Sequence, residues 1–169
     1  NANGGVVEFD FDGYGRKGFF LAAGASSNGA KSYDGINWTA QNITAPSAGN
    51  WSDIASGLLD DGSTTYHPSR TIIVADGSGS IVYSEDGDTW TAGSLPGALS
   101  SAGENSIAFG NVSAGINRFV VISDADTDVA YSEDSGVNWS LQSAALSATG
   151  FDSICHGAGK FLATRSGTT

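Results

Sequence analysis

One short phrase occurs three times and constrains the fold of this chain more than any other feature. Each copy begins with serine, has an aspartate two positions later and ends on tryptophan. We call these copies the first, second and third Asp turns; they occupy residues 32–38, 84–90 and 132–139. Their aspartates are spaced 52 and 48 residues apart. A period of this length is typical of supersecondary units that stack in an array.

Strand-like segments accompany each Asp turn in a constant order. An inner run, a second run that opens on a basic residue, and a third run precede the turn, and a Thr- or Ser-containing segment follows it. Four antiparallel strands per repeat correspond to one blade of a β-propeller. We therefore predict an all-β chain of about three and a half blades, belonging to a larger propeller. The predicted blades occupy approximately residues 5–45, 50–95, 103–145 and, in part, 150–169.

Composition excludes several classes of protein. The net charge is −11, which opposes binding to nucleic acid or to an anionic membrane surface. The 24 glycines disfavour a helical bundle, and the longest purely apolar run, residues 19–23, is too short to insert into a membrane. The single cysteine, Cys155, aligns with Ala55 and Ala108 in the inner runs. We therefore expect it to be a small buried core residue.

Each Asp turn contains the residues needed to close a hairpin. A carboxylate at the start of a turn accepts hydrogen bonds from the backbone N–H groups just ahead of it. The following glycine adopts a positive φ, and the tryptophan ring covers the strand pair. Each turn is therefore predicted to close the hairpin between its third and fourth strands by contacts within the turn itself. The structural residues are Ser32, Asp34, Gly35, Trp38, Ser84, Asp86, Gly87, Trp90, Ser132, Asp134, Gly136 and Trp139.

The three phrases resemble Asp-box repeats, also called BNR repeats, whose pattern is Ser-x-Asp-x-Gly-x-Thr-Trp. The second copy matches best, and the third has an extra residue, Ser135, before its glycine. Such repeats are known from sialidases, photosynthetic assembly factors, sortilin-like receptors and phage tail proteins. The resemblance implies a propeller with the boxes on its rim, away from the ligand site, and it implies little about activity.

The resemblance to sialidases would further imply three arginines that converge on a carboxylate, a tyrosine nucleophile with a glutamate partner, and an aspartate that serves as the catalytic acid. Arg16, Arg70 and Arg118 instead occupy the same place in successive repeats. Residues related in this way point outward around a ring and do not converge. We therefore expect no catalytic residues in this chain.

The loops opposite the Asp turns are the candidate ligand face. They comprise residues 25–29, 40–50, 76–80, 92–103, 123–128 and 141–150, and are rich in small polar residues. The candidate contacts are Asp76, Ser78, Asp124, Asp126 and Asp128. The last three alternate as in calcium loops, but the usual glycine and distant glutamate are replaced by Val129 and Ser135. A calcium site and a solvated turn both remain open, and no other cofactor is expected.

Five Asn-x-Ser/Thr sequons exceed what composition predicts, at Asn37, Asn42, Asn50, Asn111 and Asn138. They favour an extracellular setting, either secreted or on a virion surface. Our first hypothesis is a non-enzymatic recognition or structural module that binds glycan or protein, or assembles with other copies or further blades. The alternatives are a fragment of a sialidase-like glycosidase with its catalytic residues elsewhere, and a scaffold similar to a photosynthetic assembly factor.

Overall fold

The described residues form four antiparallel β-sheets that follow one another along the sequence. The structure, a computed structural model, describes residues 18–43, 50–58, 69–100, 103–113 and 116–166, together with the backbone of residues 6–8. The prediction of an all-β chain is confirmed. No helix in these ranges is long and apolar enough to span a membrane.

The strands of each sheet are hydrogen-bonded in chain order. The first sheet contains β1 (Val6–Glu8), β2 (Phe20–Ala23), β3 (Asn28–Ser32) and β4 (Thr39–Asn42). The second contains β5 (Trp51–Leu58), β6 (Ser69–Ala75), β7 (Ser80–Ser84) and β8 (Thr91–Ser94). The third contains β9 (Asn105–Ser113), β10 (Ile116–Ser123), β11 (Val129–Ser132) and β12 (Ser140–Gln142). The fourth contains β13 (Phe151–Gly157) and β14 (Lys160–Arg165), and two short 3₁₀ segments occur at Ala25–Ser27 and Gly97–Ser100.

Consecutive apolar residues on β6 and β10 show that both faces of the second and third sheets, which we call the middle sheets, are covered. Ile72, Ile73 and Val74 on β6 are all fully buried, although neighbouring side chains on a strand point to opposite faces. An uninterrupted apolar run is typical of a strand that is buried on both sides. Each middle sheet is therefore packed between two neighbours.

Three buried clusters form these contacts. The first joins the first and second sheets through residues such as Leu21 and Ile73. The second joins the second and third sheets through Ile72 and Phe119. The third joins the third and fourth sheets and includes Ile154. The sheets therefore pack face to face in sequence order.

Strand pairing defines equivalent positions in the second, third and fourth sheets. Ile54 lies opposite Ile73, Ile107 opposite Val121, and Ile154 opposite Ala163. Counting from these pairs, Asp53, Ser106 and Ser153 are equivalent, as are Gly57, Gly110 and Gly157.

Polar bonds connect the inner strands of consecutive sheets. The Oδ2 of Asp53 on β5 accepts a hydrogen bond from the backbone N–H of Ile107 (3.0 Å) and another from Ser106 Oγ (2.6 Å). Ser106 Oγ in turn accepts from the backbone N–H of Ile154 at 3.2 Å. Between the second and third sheets and between the third and fourth, the side chain at this inner-strand position therefore accepts the equivalent backbone N–H of the next sheet.

Two glycines allow the inner strands to pack closely. A Cβ atom at Gly57 would fall closer than 3.0 Å to the ring of Phe109, and one at Gly110 would do the same to the ring of His156. Phe109 and His156 are equivalent residues of the third and fourth sheets. Because a side chain has no room at these two positions, glycine sets the distance between the sheets.

The prediction that Cys155 is buried was wrong. Its counterparts Ala55 and Ala108 are 6% and 7% exposed because the next sheet covers each of them. Cys155 is exposed because no sheet in the described part of the chain packs on that face of the fourth sheet.

Candidate functional site: the Asp turns and the opposite loop edge

The first Asp turn is closed by two side chains. The Oδ1 of Asp34 accepts the backbone N–H groups of Ile36 (2.8 Å) and Asn37 (2.7 Å). Ser32 Oγ accepts the backbone N–H of Gly35 at 3.0 Å and donates to Asp34 Oδ1. The hairpin between β3 and β4 is therefore held by hydrogen bonds within the turn.

The second Asp turn repeats this arrangement. The Oδ1 of Asp86 accepts the backbone N–H groups of Asp88 (2.8 Å) and Thr89 (2.7 Å), and Ser84 Oγ accepts that of Gly87 (2.8 Å). The glycine has a φ of 71°, a conformation that residues with a Cβ rarely adopt. Sequence reasoning predicted this use of the carboxylate and of the glycine.

The third Asp turn accommodates one extra residue. Ser135 and Gly136 both have positive φ, 65° and 83°. The added residue is therefore absorbed in the turn, and Asp134 Oδ1 still accepts the backbone N–H of Asn138 at 2.8 Å. Ser132 Oγ likewise still accepts that of Gly136 at 2.8 Å.

These hydrogen bonds stabilise the ionised carboxylates. The bond from the backbone N–H of Asn37 is the largest of several that hold the pKa of Asp34 far below its usual range. At Asp86, burial is the largest single effect and raises the pKa, but the bonds from Thr89, Asp88 and Ser84 together outweigh it and lower the pKa to about 2. The pKa of Asp134 is lowered by a similar balance.

Acid is therefore expected to weaken the fold through these turns. A carboxylate whose pKa is lower in the folded state contributes stability that is complete above its unfolded pKa of about 3.9 and is lost below it. For Asp86 this loss extends from about pH 4 down to about 2. We expect the free energy of unfolding, measured by urea titration, to fall across this range. The fall should be shallower in Asp86→Asn, and an equally steep fall in that variant would contradict the assignment.

The Asp turns also bind the preceding sheet, which sequence reasoning missed. Lys31 is buried on β3, and its Nζ donates to the backbone carbonyl of Asp86 and to Asp88 Oδ2, both at 2.8 Å. Arg70 of the second sheet similarly donates from NH1 to the carbonyl of Ser135 at 3.0 Å. For Arg70, the recurrent basic residue at the start of the second run was the available signal, whereas Lys31 lies in a third run and has no such signal.

Turn glycines pack against the same neighbouring sheets. A Cβ at Gly87 would meet the ring of Phe19 at 2.6 Å, and one at Gly136 would fall closer than 3.0 Å to Ile72 Cδ1. Each of these turns therefore fastens its own hairpin and also contacts the sheet before it.

Arg70 and Arg118 are each paired with a glutamate of their own sheet. Arg70 NH2 bonds Glu85 at 2.8 Å, and its guanidinium lies 4.6 Å from the centroid of the Tyr83 ring. Arg118 pairs with Glu133 in the same way. Arg16 lies outside the described residues.

Backbone and amide hydrogen bonds join the loops at the opposite edge. The backbone N–H of Asp76 donates to the carbonyl of Asn50, and that of Gly77 donates to the carbonyl of Gly103, both at 2.8 Å. Asn105 Nδ2 donates to the backbone carbonyl of Ser78 at 3.0 Å. Loops of consecutive sheets therefore form a connected polar rim.

The three alternating aspartates do not converge on a common point. Asp124 accepts the backbone N–H of Glu104 (2.9 Å), Asp126 that of Asp128 (2.9 Å), and Asp128 that of Ala144 (2.8 Å). No group of three His, Cys, Asp or Glu residues within the described ranges is arranged to hold a metal ion. This geometry favours the turn interpretation over a calcium site.

Calcium is accordingly expected to leave the stability of the protein unchanged. A cation that binds only the folded state raises the melting temperature as its concentration exceeds its dissociation constant. Calorimetry in excess EDTA and in excess CaCl₂ should give the same transition. A calcium-dependent rise that is abolished by Asp126→Asn would restore the site at residues 124–128.

The sequon asparagines lie in different settings. The Nδ2 atoms of Asn37 and Asn138 donate to the second carboxylate oxygen of Asp34 and Asp134, each at 2.7 Å. All five are exposed, and the remaining three lie outside the Asp turns: Asn42, Asn50 and Asn111. Sequence reasoning identified the sequons but not the use of two of them as hydrogen-bond donors within Asp turns.

An open depression beside the second Asp turn was not predicted. It is lined by Tyr83, Ser84, Glu85, Asp86, Thr89 and Thr91. The hydroxyls and carboxylates are suited to polar contacts, but Arg70 lies against the Tyr83 ring, and Ser84 and Asp86 already close the turn.

The sequence matches no family model and no curated protein.

Proposed function

We propose that this chain is a non-enzymatic recognition module whose sheets are blades of an Asp-box propeller. The observation that carries the proposal is the separation of roles between the two edges of the sheets. The Asp turns lie at one edge, where their polar groups hold hairpins and neighbouring sheets together. The other edge carries a rim of polar loops, which contains no Asp turn and is joined mainly through backbone groups.

The loop rim is the proposed binding surface. Binding groups are commonly carried on loops that a rigid scaffold positions. The bonds from Asp76, Gly77 and Asn105 to neighbouring loops already order these loops. The loops therefore lose less conformational entropy when a ligand binds. A polar rim without a deep apolar pocket suits hydroxyl-rich glycans or a polar protein surface. The extracellular or virion-surface setting remains part of the proposal.

The separate pairing of Arg70 and Arg118 supports a non-enzymatic role. Recognition of a substrate carboxylate by several arginines requires their guanidinium groups to meet, whereas these two are bonded to glutamates of different sheets.

Glycan-array binding of the full chain, followed by calorimetric titration with the strongest glycan, tests the proposal. We expect Ser78→Lys, on the loop rim, to weaken binding at least tenfold. Val137→Lys is the matched control, since it makes the same charge change at an exposed residue of the third Asp turn. Equal losses in both variants would place the ligand elsewhere, and hydrolysis of a fluorogenic sialoside would favour a glycosidase.

A further inference from the structure

The outer face of the fourth sheet repeats a surface that is covered in the second sheet. Gly157 pairs with Lys160 as Gly57 pairs with Arg70, and Cys155 pairs with Leu162 as Ala55 pairs with Ile72. We call this set of fourth-sheet residues the tail face: Cys155, Gly157, Lys160 and Leu162. Its members therefore have direct counterparts whose contacts are known.

Those counterparts in the second sheet contact the third sheet. Ile72 is fully buried and contacts Gly136 of the third Asp turn, while Arg70 donates to the carbonyl of Ser135. On the tail face, Leu162 is 62% exposed, and a Cβ at Gly157 would meet no atom within 4 Å. The tail face thus has the positions of an interface without its occupant among the described residues.

The first Asp turn is equivalent to the turns that pack on the preceding sheet, and it forms the complementary surface. Trp90 and Trp139 pack against the clusters that their turns share with the preceding sheet. Trp38, the equivalent residue, is 41% exposed, and the nearest atom to a Cβ at Gly35 belongs to Phe20 of its own sheet. We call the first Asp turn together with Tyr33 and Trp38 the head face.

We propose that the tail face of one molecule binds the head face of a second copy of this chain. The contact repeats the one that the second sheet makes with the third Asp turn. Leu162 then covers the glycine of the partner's turn, as Ile72 covers Gly136. Lys160 donates to a backbone carbonyl of that turn, as Arg70 donates to Ser135.

Charge and exposure both favour this occupant. Lys160 is a cation on the tail face, and the head face carries the carboxylate of Asp34, so the local charges of the two faces are opposite. Tyr33 and Trp38 on the head face, and Leu162 on the tail face, are three of the large exposed apolar side chains. A head-to-tail contact is heterologous, so it produces a ring or an open chain of molecules and not an isologous dimer. The contact does not involve the loop rim, so glycan binding and self-association succeed or fail separately.

Sedimentation velocity of the full chain over a range of concentrations tests the proposal. We expect the wild type to form dimers or larger species. Leu162→Glu on the tail face and Trp38→Glu on the head face should each weaken association at least tenfold. Val137→Glu is the matched control, because Val137 is also exposed (58%) but lies on the third Asp turn; this variant should associate like the wild type.

Mixing the two blocked variants identifies the head-to-tail geometry. Each retains one intact face, so an equimolar mixture should form one-to-one dimers that neither variant forms alone. Lys160→Glu provides a second tail variant, and a thermal transition like that of the wild type verifies each fold. The thiol of Cys155 should react more slowly with a disulfide reagent as the wild type associates. A monomeric wild type, or a mixture that stays monomeric, would overturn the proposal.

Discussion

Gly57→Ala and Gly110→Ala are each expected to lower the melting temperature, whereas Gly157→Ala leaves it unchanged. The three glycines are equivalent, and none has a positive φ, so backbone strain does not distinguish them. An added methyl group collides with Phe109 in the first variant and with His156 in the second, but meets open space in the third. Overpacking of this kind typically costs about 1–3 kcal/mol.

Differential scanning calorimetry at a concentration where the chain is monomeric measures this difference. For a protein of this size each kcal/mol corresponds to about 2–4 °C in Tm. The double variants Gly57→Ala/Phe109→Ala and Gly110→Ala/His156→Ala should recover part of the steric penalty relative to additivity. Similar losses in all three single variants would show that close packing between inner strands does not set the sheet spacing.

Removing the carboxylate of Asp53 is expected to weaken the contact between the second and third sheets. In Asp53→Ala the backbone N–H of Ile107, which is 3% exposed, loses its acceptor, and so does the hydroxyl of Ser106. A buried donor left without a partner costs about 1–3 kcal/mol. Urea unfolding of the variant should show a lower midpoint with an unchanged slope.

Two further substitutions distinguish the loss of this hydrogen bond from other effects of changing a side chain at this position. Asp53→Asn keeps an oxygen acceptor for the backbone N–H of Ile107 and should lose less stability than the alanine variant. Ser153→Ala changes the equivalent position of the fourth sheet, where the side chain is exposed, and should be neutral. A loss from Ser153→Ala as large as that from Asp53→Ala would mean that the bond between sheets is not the cause.

Sequence reasoning was most successful where the relevant interactions are local. The hydrogen bonds of Asp34 and Asp86 reach only two or three residues ahead, so the spacing within each turn was enough to predict them. It failed for Cys155, since burial depends on whether another sheet is present, and alignment with Ala55 and Ala108 carries no information about that.

The sequence by itself determined the all-β class and the chemistry of the Asp turns, because strand alternation and turn residues act over a few neighbouring positions and the repeated phrase can be read directly from the sequence. Only the tertiary structure decided that Lys31 and Arg70 hold the turns of the following sheets, that Gly57 and Gly110 receive rings, and that Asp124, Asp126 and Asp128 bond separate backbone groups. Most of these contacts join residues that are 20 to 65 positions apart in the chain. Their partners become defined only when the sheets pack face to face.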